Sequence, residues 1–127
     1  MPDILQTNRE IAVAFEKMVI AGNIRAAFDE FVSADFRHHN PFFKGDRESL
    51  ILGMEQNQVQ FPGKSYEVQH TLEDRDLVVT HSKLKLNGEM PEMTVVHIYR
   101  FAAGRIVEEW DLSQVWQKES PNENGLF

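Results

Sequence analysis

Imidazole and carboxylate side chains are the groups that exchange protons near neutral pH. One place in this chain brings them together by strand periodicity. Met93–Phe101 and Arg105–Leu112 both read as strands, separated by Ala102-Ala103-Gly104. A three-residue loop closing on a glycine bulge sets Phe101 opposite Arg105. Tyr99 then faces Val107, His97 faces Glu109 and Val95 faces Asp111. Side chains alternate along a strand, so one face carries Val95, His97, Tyr99, Val107, Glu109 and Asp111. The other carries Ile98, Arg100, Ile106, Glu108, Trp110 and Leu112. Two arrangements satisfy the first face. On a partly solvated sheet, His97 and Glu109 form a cross-strand pair worth ~0.2–1 kcal/mol. As the polar floor of an apolar pocket, burial and the neighbouring carboxylate poise His97 as an acid or base.

The remaining histidines are weaker candidates. His38 and His39 are adjacent in an extended segment and point opposite ways, so at most one reaches a pocket. His81 sits mid-strand in Val78-Val79-Thr80-His81-Ser82, either as a hydrogen-bonded wall residue or as a second catalytic imidazole. His70 has no visible partner and reads as surface. Phe15, Met18, Phe42, Phe61 and Tyr99 are the expected ligand-contacting walls, with Glu109 as a polar contact, because small-molecule sites are mostly apolar with a few polar groups. The chain has no cysteine, and no histidines stand at helical i,i+4 or strand i,i+2 spacing, so neither a tightly bound metal nor any cofactor is expected. A phosphate-binding glycine loop and a G-x-S-x-G elbow are also missing.

These side chains need elements to hold them. Thr7 and Glu10 have capping-box spacing, and Ile11, Ala14, Phe15, Met18 and Val19 continue at helical spacing to Gly22. A start near Asp3 is an alternative. Asn23 opens a second helix with Ile24, Ala27, Phe28, Phe31 and Val32 on its apolar face. Asp35 to Asn40 reads as a short strand running into the Pro41 turn. Asp46 caps a third helix carrying Leu50, Ile51, Met54 and Val59, which Pro62-Gly63 ends. Ser65–Leu72 and Asp76–Leu86 read as strands, and Asn87-Gly88 is a turn. Helices first and strands later indicate an α+β domain. The expected architecture is three N-terminal helices packed on a strongly curved mixed or antiparallel sheet, a half-open cone with a pocket at its mouth. One domain is expected over 1–127, its core about 5–116, with a loose polar tail at 118–127.

The bulk numbers exclude several function classes. With 127 residues, 42% of them hydrophobic, the chain can bury one core. A net charge of −7 speaks against a nucleic-acid partner, which requires a basic stripe. No apolar run approaches the ~18 residues of a membrane span. Met1-Pro-Asp-Ile lacks the basic and apolar regions of a signal peptide. A soluble, cytoplasmic protein without nucleic-acid or membrane partners is expected.

At Phe36-Arg-His-His-Asn-Pro41, Gly45, Val78-Val-Thr-His-Ser82, Val96-His-Ile-Tyr-Arg-Phe101, Gly104-Arg-Ile-Val-Glu-Glu-Trp-Asp111 and Gln114, the chain resembles the SnoaL-like polyketide cyclases. These belong to the nuclear transport factor 2-like superfamily, also called the cystatin-like α+β barrel. The resemblance spans roughly residues 5 to 116. It implies a cone with a deep pocket, a homodimer formed through the sheet, and metal-free acid–base chemistry that closes a ring by intramolecular aldol condensation. Related folds isomerise steroids, dehydrate, or hydrolyse epoxides. The family's acid/base aspartate position is His97 here. His39 matches the His-Asn-Pro histidine, and Glu109 stands where the family often has histidine.

Three functions follow as alternatives. In the first, an enzyme acts on a small carbonyl compound: His97 or Asp111 removes an activated proton, and His39 or His81 stabilises the enolate. In the second, the same residues only bind a small organic ligand. In the third, the domain interacts with other proteins through the outer sheet face around Ile98, Ile106 and Trp110. The apolar residues of that face also lead to the expectation of a homodimer through the sheet.

Overall fold

A computed structural model describes residues 6–127. The order is α1 (Asn8–Ile20), α2 (Ile24–Phe31), β1 (Val32–His38), α3 (Arg47–Gln60), β2 (Ser65–Asp74), β3 (Leu77–Lys85), β4 (Met93–Ala102) and β5 (Arg105–Val115). The Thr7 hydroxyl accepts from the Glu10 amide, and the Glu10 carboxylate accepts from the Thr7 amide, so the capping box forms. The alternative start near Asp3 lies outside the described residues. Asp46 caps α3 by accepting from the Ser49 amide at 3.1 Å. α2 passes straight into β1 at Val32, three residues before the expected strand start.

The strands form one unclosed sheet in the order β1-β5-β4-β3-β2. β1 runs parallel to β5 and every other pair is antiparallel, so the sheet is mixed. α1 packs on β2 and β3, and α3 packs on β1. Between helices and sheet, Phe15, Phe28, Phe36 and Tyr99 are buried in one cluster. Their rings meet edge to face at 5.2 to 6.0 Å, a geometry that sets positive ring edges against negative faces. The result is a half-open α+β cone. Among the described residues no helix is long and apolar enough to cross a membrane.

The β4–β5 hairpin differs from the expected register. The loop has two residues, Ala103 and Gly104, with φ of +52° and +77°, as in a type I′ turn. A left-handed alanine is costly, which is why the sequence favours a longer loop. Ala102 therefore pairs with Arg105, and Phe101 with Ile106; Arg100 pairs with Glu108, leaving Val107 as an extra bulged residue. Beyond the bulge Tyr99 faces Glu109 and His97 faces Asp111, two residues away from the expected partners. A shift of two preserves the side-chain phase, so His97, Glu109 and Asp111 still share the inner face. Ile106 lies before the bulge and takes the opposite phase: it is in the core with 0% exposure, not on the outer face.

Ile106→Ala should therefore lower unfolding stability by about 2–4 kcal/mol, the cost of a core cavity. Urea denaturation checks this; a change of a few tenths would place Ile106 at the surface and refute the bulged register.

Candidate functional site

A cavity of about 250 Å³ opens between α1, α3 and the sheet. Its apolar wall includes Phe15, Val19, Ile20, Leu50, Met54, Leu84 and Val95. Phe43 comes from the loop before α3 and lies against Gly53, where a methyl group would overlap its ring. The polar wall is Glu16, Asn40, Asn57, Lys64, Tyr66, His97, Tyr99, Glu109 and Asp111.

Glu16 is the residue that sequence reasoning missed. It is 5% exposed, although it is charged and sits one helical turn from buried Ala12. The Tyr99 hydroxyl donates to it at 2.5 Å, Thr80 at 2.7 Å and Tyr66 at 2.9 Å. Burial, followed by the Glu16 charge, pushes the Tyr66 and Tyr99 hydroxyls up, so both keep their protons and donate. The missed signal was a lone carboxylate on an otherwise apolar helical face.

His97 lies against this network. Its Nδ1 is 3.4 Å from Glu16 Oε2 and 3.4 Å from the Tyr66 hydroxyl. Both can accept, which assigns the proton to Nδ1 and leaves the Nε2 lone pair on the side of Glu109, 3.9 Å away. Glu109 is 1% exposed, and neither of its oxygens has a hydrogen-bond partner among the described residues. Burial first, then the charges of Asp111 and Glu16, push its carboxyl well above the ordinary range. This favours its protonated form, which can donate one hydrogen bond. Asp111 accepts from the Asn40 side-chain amide at 3.1 Å.

The other predicted site residues are elsewhere. In β1 it is His38 that turns inward, 6% exposed, with Nε2 2.8 Å from the Lys44 carbonyl. His39 is on the outer face, where its Nε2 meets Glu108 at 2.7 Å and its ring lies parallel to Trp110. The parallel register of β1 with β5, His38 beside Glu109, fixes this choice. His81 also faces outward, because Thr80 and Ser82 take the buried phase. Its Nδ1 is 3.0 Å from His70 Nδ1, and its Nε2 is 2.8 Å from the Thr94 hydroxyl. His70 thus has a partner after all, a cross-strand pair that appears only when β2 and β3 align. Phe42 is 85% exposed on its turn, and Phe61 and Met18 fall outside the cavity wall. Phe15 and Tyr99 line the cavity. The tail beyond Trp116 forms no helix or strand, but the Phe127 ring packs on His81 at 5.5 Å between centroids.

Could the site hold a metal? Among the described residues, His97, Glu109 and Asp111 offer ligand atoms that all lie within 4.8 Å of one another. Cis ligands around an ion at roughly 2.1 Å stand about 3 Å apart, so an ion would have to draw the three inward.

A family model described as a SnoaL-like domain matches residues 12–109. The chain belongs to the SnoaL-like domain family. Solved structures agree on the fold. A loop-truncation variant of IdmH is 25% identical, with a TM-score of 0.73 over 85% of this chain and 93% of that one. Wild-type IdmH, a candidate polyketide cyclase from Streptomyces antibioticus, is 24% identical at a TM-score of 0.69, covering 86% and 93%. A candidate SnoaL-like polyketide cyclase from Jannaschia sp. CCS1 is 17% identical at 0.71, covering 84% and 85%. No curated protein is significantly similar to this SnoaL-like chain.

A neutral buried acid has a stability signature. Raised in the fold, the Glu109 pKa makes a contribution that is fully present below the ordinary carboxylate pKa and is lost as pH rises towards the folded value. Glu109→Gln cannot ionise, so it should gain on the wild type between pH 5 and 8, by up to about 1.4 kcal/mol per pH unit. Denaturant unfolding at several pH values measures this. A constant difference between the two proteins would mean that Glu109 is ionised in the fold.

Proposed function

We propose that this SnoaL-like domain binds a small carbonyl compound and catalyses proton transfer at the carbon beside the carbonyl, the step shared by cyclases, isomerases and lyases of this type. The observation that carries the reading is Glu109: a buried carboxyl group on the cavity wall beside His97, with no hydrogen-bond partner among the described residues. Glu109 Oε2 and His97 Nε2 are 3.9 Å apart, so a carbonyl oxygen held by Glu109 brings the adjacent carbon to His97. Protonated Glu109 donates to that oxygen and stabilises the enolate as it forms. His97 Nε2 accepts the α-proton, while Glu16 and Tyr66 hold the Nδ1 proton and orient the ring. Asp111, opposite His97, is the second basic group within reach. The enolate-stabilising role expected for His39 or His81 passes to Glu109, since both histidines face outward. Both proton donor and acceptor come from the chain itself.

The test is deuterium exchange at the methyl group of 2-acetylnaphthalene, followed by proton NMR. Wild type should exceed buffer, and His97→Gln and Glu109→Gln should each lower the rate about 10²–10³-fold. A wild type that binds the ketone without accelerating exchange would be a ligand-binding protein instead.

We also propose a homodimer through the outer sheet face. Leu72 and Leu112 are 66% and 57% exposed there, beside partly buried Ile98 and Trp110. Exposed apolar patches of this kind mark interfaces. Light scattering at micromolar concentration should give twice the chain mass, and Trp110→Glu should give a folded monomer. A wild-type monomer would end this reading.

A further inference from the structure

Lys64 lines the same cavity and is its single lysine or arginine among the described residues. It is half-buried, and its only side-chain partner among the described residues is the Asn57 carbonyl oxygen at 2.5 Å. No carboxylate balances it; burial alone acts on the ammonium and pushes its pKa down. A partly desolvated cation without a counter-ion is costly. Asn57 spends its oxygen on Lys64, which leaves its NH₂ group as a second donor beside the ammonium. Together they form a two-donor cradle for an anion.

The cavity's carboxylates do not cancel it. Glu109 and Asp111 are on β5, whereas Lys64 immediately precedes β2, and the order β5-β4-β3-β2 puts three strand spacings between them. That is roughly 14 Å along the sheet. Burial pushes the Glu109 carboxyl towards its protonated form, and Glu16 is enclosed by three hydroxyls. The two ends of the cavity are therefore chemically opposite: a proton donor–acceptor pair on β4 and β5, and a cationic cradle at the start of β2. The volume limits what spans them. About 250 Å³ equals the share of roughly eight water molecules in the liquid, room for one or two rings.

We infer that the ligand is an anionic carbonyl compound of one or two rings, its carboxylate held by Lys64 and Asn57 while its carbonyl reaches Glu109 and His97. The inference rests on the acid–base reading for the second end only.

The probes are 6-acetyl-2-naphthoate and its methyl ester, matched in shape but not in charge, with binding measured by calorimetry. Wild type should bind the acid at least tenfold more tightly than the ester, and 500 mM salt should narrow that preference. Lys64→Met should bring the two within threefold, and Lys64→Arg should retain most of the preference. Glu109→Gln should keep the preference although it loses exchange, which separates this subsite from the catalytic reading. Circular dichroism checks that each variant folds, and the wild-type comparison and its salt dependence decide the matter even if one does not. Equal or tighter binding of the ester by wild type, no binding of either probe, or a preference that survives Lys64→Met would each overturn the subsite.

Discussion

Glu16 projects from α1 into the apolar space between helix and sheet, where an unsatisfied carboxylate would cost several kcal/mol. Hydroxyls from β2, β3 and β4 meet it there: Tyr66, Thr80 and Tyr99. The bonds link one helix to three strands, and each strand must be in register for its hydroxyl to arrive. Charge-assisted hydrogen bonds are about twice as strong as neutral ones. Removing Glu16 would strand the buried hydroxyls that donate to it. The position of α1 over the sheet, the mouth of the cavity and the tautomer of His97 all follow from satisfying this one group.

Glu109 has the opposite environment. It is as buried as Glu16, but nothing among the described residues donates to it. A carboxyl so placed keeps its proton, and the cost of its burial persists in the folded state. Buried polar groups without partners are rare and need an explanation. Here the explanation is a cavity on one side and an imidazole on the other. Of the cavity's three carboxyl groups, Glu16 is satisfied and Glu109 is left open, which divides the work: the first holds the base and the second is free for a ligand.

The neighbouring residue shows how steeply the sheet separates environments. Glu108 points to the outer face, where Arg37 first and His39 second hold its carboxylate down to about 2. His39 meets one Glu108 oxygen and Arg100 the other, and both lie over Trp110. Adjacent glutamates in β5 thus sit at opposite ends of the carboxylate range because successive side chains face opposite sides of the sheet.

Much was legible in the chain itself. Capping residues at Thr7 and Asp46, helical spacing in the first sixty residues and strand-like runs afterwards determined the α+β class and most element positions. Period-two alternation put His97, Glu109 and Asp111 on one face, and that conclusion survived a wrong loop because an error of two residues keeps the phase. Tertiary structure decided the rest. The phase of Ile106 depended on a bulge that no local signal announces, since it follows from closing the hairpin with Ala103 in a left-handed conformation. The choice between His38 and His39 depended on a parallel pairing seventy residues away in sequence, and the outward turn of His81 on which strand neighbours were buried. The roles of Glu16 and Lys64 were hidden for the same reason. A charged side chain read alone belongs to solvent, and only the packing of α1 and α3 against the sheet shows that one is enclosed by hydroxyls and the other left without a counter-ion.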